Sequence, residues 1–129
     1  MKLALIAAAF AVLMVLASGC TSPSTDGTIR LTDGMEIGSN VCAQKGISDS
    51  VLVFHSLECP ACRQTVPILD AIENETGKGF EFIDITSAEG KERMAQLSMM
   101  PDYIPAVVIK CKVYVGYKVK EEFLRLIGN

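Results

Sequence analysis

Cys59-Pro60-Ala61-Cys62 sets two thiols most of a helical turn apart, and a proline after an apolar residue, Ile104-Pro105, returns later in the chain. Paired thiols at this spacing suit disulfide exchange, in which one attacks and the other resolves. If a helix begins at Cys59 or Pro60, the Cys59 sulfur faces unpaired backbone N–H groups and the positive end of the helix dipole. Both favour thiolate over thiol. Pro60 suits the first helical position, where no N–H is needed. Cys62 lies further in, close enough to attack a mixed disulfide at Cys59. Cys59 therefore reads as the nucleophile and Cys62 as the more buried resolving thiol. Glu58 adjoins the nucleophile, and a carboxylate there opposes a thiolate. His55, the single histidine, reads as a strand-end residue packing near the pair. Tuning of Cys59 is its sharper alternative.

The same thiols are also half of a zinc or copper site, with His55, Cys42 and Cys111 as further ligands. A zinc fold usually shows a second close cysteine pair, and the sequence has none. Redox chemistry is the preferred reading, with no metal and no bound cofactor. Met94, Met99 and Met100 read as core filler rather than soft-metal ligands.

The elements that must position these residues follow from the punctuation. Val51-Leu52-Val53-Phe54 is a continuous apolar run, which suits a strand buried on both faces. Val66, Leu69 and Ile72 recur at helical spacing through residues 60–74, and Gly77 and Gly79 end that helix. Residues 80–85 form a second strand. Thr86 and Glu89 have capping-box spacing for a helix reaching Leu97. Ala106 to Ile109 is a third strand, joined through Lys110-Cys111-Lys112 to a fourth over Val113-Tyr114-Val115. Val119, Phe123, Leu126 and Ile127 make the apolar face of a last helix. Residues 28–47 show only a short alternation at Ile29-Arg30-Leu31-Thr32, broken by Asp33-Gly34. The predicted order is β-α-β-α-β-β-α, an α/β fold with a four-stranded mixed sheet covered by helices.

From Val51 to Ile127 the chain resembles the thioredoxin superfamily. The residues that carry the resemblance are the apolar strand leading into Cys59-x-x-Cys62, Pro67 as the helix-kinking proline, Asp84 at the end of the second strand, Ile104-Pro105 as the cis-proline loop, and Gly116 near the end of the fourth strand. The resemblance implies that Pro105 packs beside the sulfurs and that the Ile104 backbone pairs with a bound substrate strand. The departures are also specific. No tryptophan precedes Cys59, and Phe54-His55-Ser56 followed by Cys-Pro-x-Cys is nearer to glutaredoxin and DsbA-like sequences. Val53 stands where thioredoxins place a buried acidic residue, so a proton acceptor for the resolving thiol is missing there. Ala106 replaces the commoner threonine.

Cys111 occupies a tight turn where members of that family often carry Asn-Gly, an odd place for cysteine. That favours a Cys42–Cys111 disulfide pinning the N-terminal segment to the hairpin. A second redox pair, or two unrelated thiols, are the other readings.

The first residues are leader rather than fold. Met1-Lys2 precede an uninterrupted apolar run, Leu3 to Ala17, of signal-peptide length. Ala17-Ser18-Gly19-Cys20 resembles a lipoprotein leader, which implies lipidation of Cys20. An ordinary cleaved signal or an uncleaved anchor are the alternatives, and all three put the domain outside the cytoplasm. The expected organisation is a signal peptide over 1–19, then the lipidated Cys20, a polar tether and an uncertain segment over 20–47, then the domain over 48–129. The formal net charge is −3 over 129 residues, and loss of Lys2 with the leader makes it more negative. With no Lys/Arg run, nucleic acid is not an expected partner. The chain thus reads as a monomeric, membrane-tethered, extracytoplasmic thiol–disulfide oxidoreductase. Its substrates are protein disulfides or thiols, and a membrane redox partner resets it. Ile104 before the proline tilts the reading towards reductase. A lipid-anchored metal-delivery module and a non-catalytic binding domain are the alternatives.

Overall fold

Leu52, Val53 and Phe54 are fully buried, and Val51 nearly so. A strand that is apolar at every position needs cover on both faces, and the fold supplies it. The computed structural model describes residues 27–128. In chain order the elements are β1 (Ile29–Leu31), α1 (Ser39–Lys45), β2 (Val51–His55), α2 (Pro60–Thr76), β3 (Phe80–Asp84), α3 (Ala88–Leu97), β4 (Met99–Pro101), β5 (Ala106–Ile109), β6 (Lys112–Val115) and α4 (Lys120–Gly128). Four strands make one mixed sheet in the order β3-β2-β5-β6. β2 and β3 are parallel, with Val53 opposite Phe82, while β5 runs antiparallel to both β2 and β6. This is the mixed sheet and helical cover that the resemblance implies.

Alternation along the strands divides the core. Val51 and Val53, with Val107 and Ile109, face Leu69 and Ile72 of α2 and Phe123 and Ile127 of α4. Leu52 and Phe54, with Ala106 and Val108, face Leu31, Ile37, Cys42, Met94, Leu97 and Met99. The second group shows what the sequence reading leaves out. Residues 28–47, set apart there from a domain beginning at 48, pack into its core. β1 pairs in parallel with β4, Ile29 opposite Met99. The chain then runs beside β6: Gly34 N–H donates to the Val113 carbonyl at 2.9 Å, and Ile37 N–H to the Cys111 carbonyl at 2.7 Å. That run covers the outer edge of β6, which would otherwise offer unpaired backbone groups to another chain. β1, α1 and β4 are therefore additions to the predicted order.

Three local expectations change. The cap of α3 is Ser87, whose Oγ accepts the Gly90 N–H at 2.9 Å. Thr86 cannot serve because its hydroxyl is donated to the Asp84 carboxylate at 2.7 Å. On α2 the inward stripe is Cys62, Thr65, Leu69 and Ile72, and Val66 lies at its margin. Val119 precedes α4 and is exposed, leaving Phe123 and Ile127 as the buried positions of that helix. The leader, Cys20 and the tether up to residue 26 lie outside the described residues. Among the described residues no helix is long and apolar enough to cross a membrane.

Candidate active site

β2 ends at His55, and the chain turns through Ser56, Leu57 and Glu58 into α2. Ser56 fastens this turn. Its hydroxyl accepts the Glu58 N–H at 3.3 Å, and its carbonyl accepts the Cys59 N–H at 3.3 Å. Cys59 then stands at the N-cap of α2 with extended backbone, φ −89° and ψ 115°. An N-cap side chain normally offers oxygen to the orphan N–H groups of the first turn. Here a sulfur does so: Cys59 Sγ accepts the Cys62 N–H at 3.1 Å. That bond satisfies one of the orphan N–H groups at the start of the helix. Pro60 opens the helix at no cost in hydrogen bonding, and Ala61 completes the turn.

The two sulfurs differ in access. Both thiols are free; Cys59 is half-buried and Cys62 only 1% exposed. Burial, and then the hydrogen bond with Cys59, push the Cys62 thiol up to about 12, with the Ser56 backbone opposing them. The Ile104–Pro105 peptide is cis, and the Ile104 carbonyl lies beside Cys59. The Cys59 thiol donates to the Ile104 carbonyl at 3.8 Å. Pro105 is buried, and its carbonyl accepts the Gly116 N–H at 2.8 Å, which ties the end of β6 to this loop. The turn after β2, the start of α2 and the loop before β5 thus meet at one sulfur.

His55 belongs to the same end of the sheet. It lines a shallow apolar groove of about 220 Å³ with Ser56, Leu57, Cys62, Arg63, Val66 and Pro67. Its ring meets Phe82 edge-on at 6.3 Å. Burial lowers its pKa from the ordinary 6.5, with the Asp84 charge opposing. Asp84 itself is held below the usual carboxylate range by hydrogen bonds from the Thr86 hydroxyl and backbone. Glu58 is exposed, so water screens its charge. The structure thus gathers Cys59, Pro60, Ala61, Cys62, Ile104, Pro105 and His55.

Cys42 and Cys111 are elsewhere. They form a disulfide, with Cα atoms 6.2 Å apart, between α1 and the turn joining β5 to β6. β5 runs away from Pro105 towards that turn, so the bond sits at the opposite end of the sheet. Bonded there, the two cysteines cannot join Cys59, Cys62 and His55 as metal ligands, nor exchange directly with the Cys59–Cys62 pair. Among the described residues no three His, Cys, Asp or Glu side chains are grouped to hold a metal ion.

No family model matches the chain. It is similar to thioredoxin of Listeria monocytogenes serovar 1/2a (strain ATCC BAA-679 / EGD-e), with 27% identity over 81 residues, 59% of this chain and 77% of that protein. Thioredoxin of Listeria innocua serovar 6a (strain ATCC BAA-680 / CLIP 11262) matches at the same 27% over 81 residues, again 59% of this chain and 77% of the relative. The similarity supports a place in the thioredoxin superfamily. At family level that suggests thiol–disulfide redox chemistry.

Two residues at this site are given no structural role in the sequence reading. Ser56 is buried and builds the turn; a serine two positions before a loop residue was the available signal. Thr65 is fully buried one turn beyond Cys62. Its only sequence signal was a polar residue within an apolar stripe.

Proposed function

We propose that this chain is a membrane-tethered, extracytoplasmic thiol–disulfide oxidoreductase that reduces protein disulfides through Cys59 and Cys62. One observation carries the reading: a half-buried sulfur capping a helix, with a second, buried thiol behind it and a cis-proline loop beside it. The Cys59 thiolate attacks one sulfur of a partner disulfide. The partner's S–S bond breaks, its second sulfur leaves as thiolate, and a mixed disulfide forms. Cys62 then attacks Cys59, the mixed bond breaks, and the partner leaves with both electrons as a dithiol. The chain is left as the Cys59–Cys62 disulfide. A membrane partner that supplies electrons as a dithiol restores it, and no bound cofactor is required.

The surface around Cys59 suits a protein substrate. Leu57, two residues before it, and Tyr103, two residues before Pro105, are 72% and 74% exposed. The Ile104 carbonyl beside Cys59 suits pairing with an extended substrate strand. For the tether, the support is the leader sequence and the small residues before Cys20.

The test is a redox titration of the purified protein against a thiol–disulfide buffer, with free thiols trapped and counted by mass. The expected result is one two-thiol transition at a strongly reducing potential, confined to Cys59 and Cys62. A midpoint on the oxidising side would turn the direction to disulfide formation, and a pair that never cycles would remove the function. The same preparation tests the anchor: the chain is expected in the membrane fraction and Cys20→Ala in the soluble one.

A further inference from the structure

Thr65 Oγ1 is a buried side-chain oxygen with no hydrogen-bond partner, alone in that condition among the described residues. The orphan is unusual because a helical threonine has an acceptor at hand, the carbonyl one turn back. Here that would be Ala61, and the hydroxyl does not take it. Valine would fill the same volume on the stripe of Thr65, Leu69 and Ile72 with nothing left unpaired. A hydroxyl kept in hydrocarbon without a partner is disfavoured in the resting state.

Its position suggests when a partner arises. Thr65 lies three residues after Cys62 on the same inward stripe of α2. Residues at this spacing are neighbours on a helix face, and helical side chains lean towards the N-terminus. The Thr65 side chain therefore leans towards the turn that carries Cys62. Val53, on the strand beneath, offers no carboxylate.

We propose that Thr65 is a positioning residue for the resolving step, its hydroxyl turning onto the Cys62 sulfur to donate a hydrogen bond as that sulfur becomes a thiolate. The proposal deepens the reading of Cys59 and Cys62 as an exchange pair and rests on it. In the reduced protein, burial and the hydrogen bond with Cys59 hold the proton on Cys62. Once Cys59 carries a partner's sulfur, that arrangement is lost, and Cys62 must become nucleophilic inside the protein. In the step, Cys62–SH and partner–S–S–Cys59 give Cys59–S–S–Cys62 and partner–SH. The bond from the partner to Cys59 breaks, the bond from Cys62 to Cys59 forms, and two electrons and the Cys62 proton end on the partner's sulfur. Thr65 is unchanged.

Few titratable groups compete for the role. Cys59 caps α2 and the exposed Arg63 lies in its first turn, with the exposed Glu58 just before the helix, while Asp70, Glu73 and Glu75 of α2 stand more than a turn beyond Thr65. From β2 comes His55, with Asp84 of β3 beside it. The loop over residues 104–106 brings none. On α4, Lys120 pairs with Glu75, at the far end of α2.

The experiment is single-turnover reduction of a disulfide peptide by wild-type protein, Thr65→Val and Thr65→Ser, acid-quenched and followed by mass across a range of pH. Iodoacetamide alkylation of Cys59 is measured alongside. In Thr65→Val, resolution is expected to slow about tenfold, the worth of one hydrogen bond to a charged group. Mixed disulfide accumulates, and the pH–rate profile moves to higher pH. Cys59 alkylation and thermal stability are not reduced, and Thr65→Ser resembles wild type. Resolution in Thr65→Val at the wild-type rate and pH profile overturns the proposal, as does Thr65→Ser behaving like Thr65→Val. Wild-type protein that forms no mixed disulfide overturns the exchange reading and this proposal together.

Discussion

Cys59 and Cys62 are the same residue type three positions apart, and the start of one helix makes them chemically different. Cys59 caps the helix and receives an N–H. Cys62 is inside the first turn and sealed from water. The difference has a consequence for stability that can be measured without a substrate. Unfolding returns Cys62 to its ordinary value of 9.0, whereas the folded reduced protein holds the proton to about 12. Between those values the unfolded chain has released the proton and the folded chain has not, so stability falls as pH rises through that window. Below the window the contribution is constant. The oxidised protein has no proton on Cys62 to lose. Urea unfolding at pH 8 and pH 10 is therefore expected to show a larger alkaline loss for reduced than for oxidised protein. Cys62→Ser should remove the excess. Equal losses in all three would mean that burial does not hold the Cys62 proton.

The turn that carries Cys59 is held by elements whose ends all reach the same edge of the sheet. β2 and β3 deliver His55 and Asp84, α2 begins there, and the loop before β5 brings Pro105. One glycine keeps α3 against this edge. A Cβ on Gly90 would lie only 1.7 Å from the Asp84 carbonyl oxygen, and neither backbone can give way freely. Gly90→Ala is expected to cost at least about 1–3 kcal/mol, as overpacking does, read as a lower urea midpoint with an unchanged m-value. An unaffected midpoint would show that α3 can slide along β3. The legible elements were those with long, periodic patterns: β2, α2, β3, α3, the β5–β6 hairpin and α4. β1 and β4 have three residues each and α1 seven, too short for a period to emerge. α1 also lacks a side-chain cap on Gly38, so no start signal marked it. Met99-Met100-Pro101 ends in a proline, which has no N–H to donate, and it pairs only with the equally short β1. At the candidate site, the Cys59–Cys62 spacing and the Ile104–Pro105 pair were legible in the sequence, and the structure brings them together at the start of α2. Thr65 was not, because only the fold shows that its hydroxyl is buried without a partner.

At the scale of the whole molecule, the sheet has two poles with different covalent chemistry. One carries the free thiols of Cys59 and Cys62. The other carries the Cys42–Cys111 disulfide, which closes a sequence separation of 69 residues and holds α1 and the chain beside β6 onto the hairpin. Lys110 and Cys111 at this turn have φ of 49° and 63°, the left-handed backbone that a two-residue hairpin turn demands and that Asn-Gly adopts more easily. The bond and the Ile37–Cys111 hydrogen bond hold that conformation in place. On the chain-entropy account a loop of this length stabilises the fold by about 4 kcal/mol, with measured values commonly about 2–4 kcal/mol. Cys42→Ala/Cys111→Ala is therefore expected to lower the free energy of unfolding by at least about 2 kcal/mol. The folded fraction should keep the wild-type rate of exchange at Cys59, because neither sulfur reaches that edge of the sheet. Denaturation and single-turnover exchange, measured on the same preparation well below the new melting point, separate the two effects. A stability loss with an unchanged rate makes the bond a staple. An exchange rate that falls while the protein remains folded would mean that strain at the turn passes along the four residues of β5 to the cis-proline loop, joining the two poles through one strand.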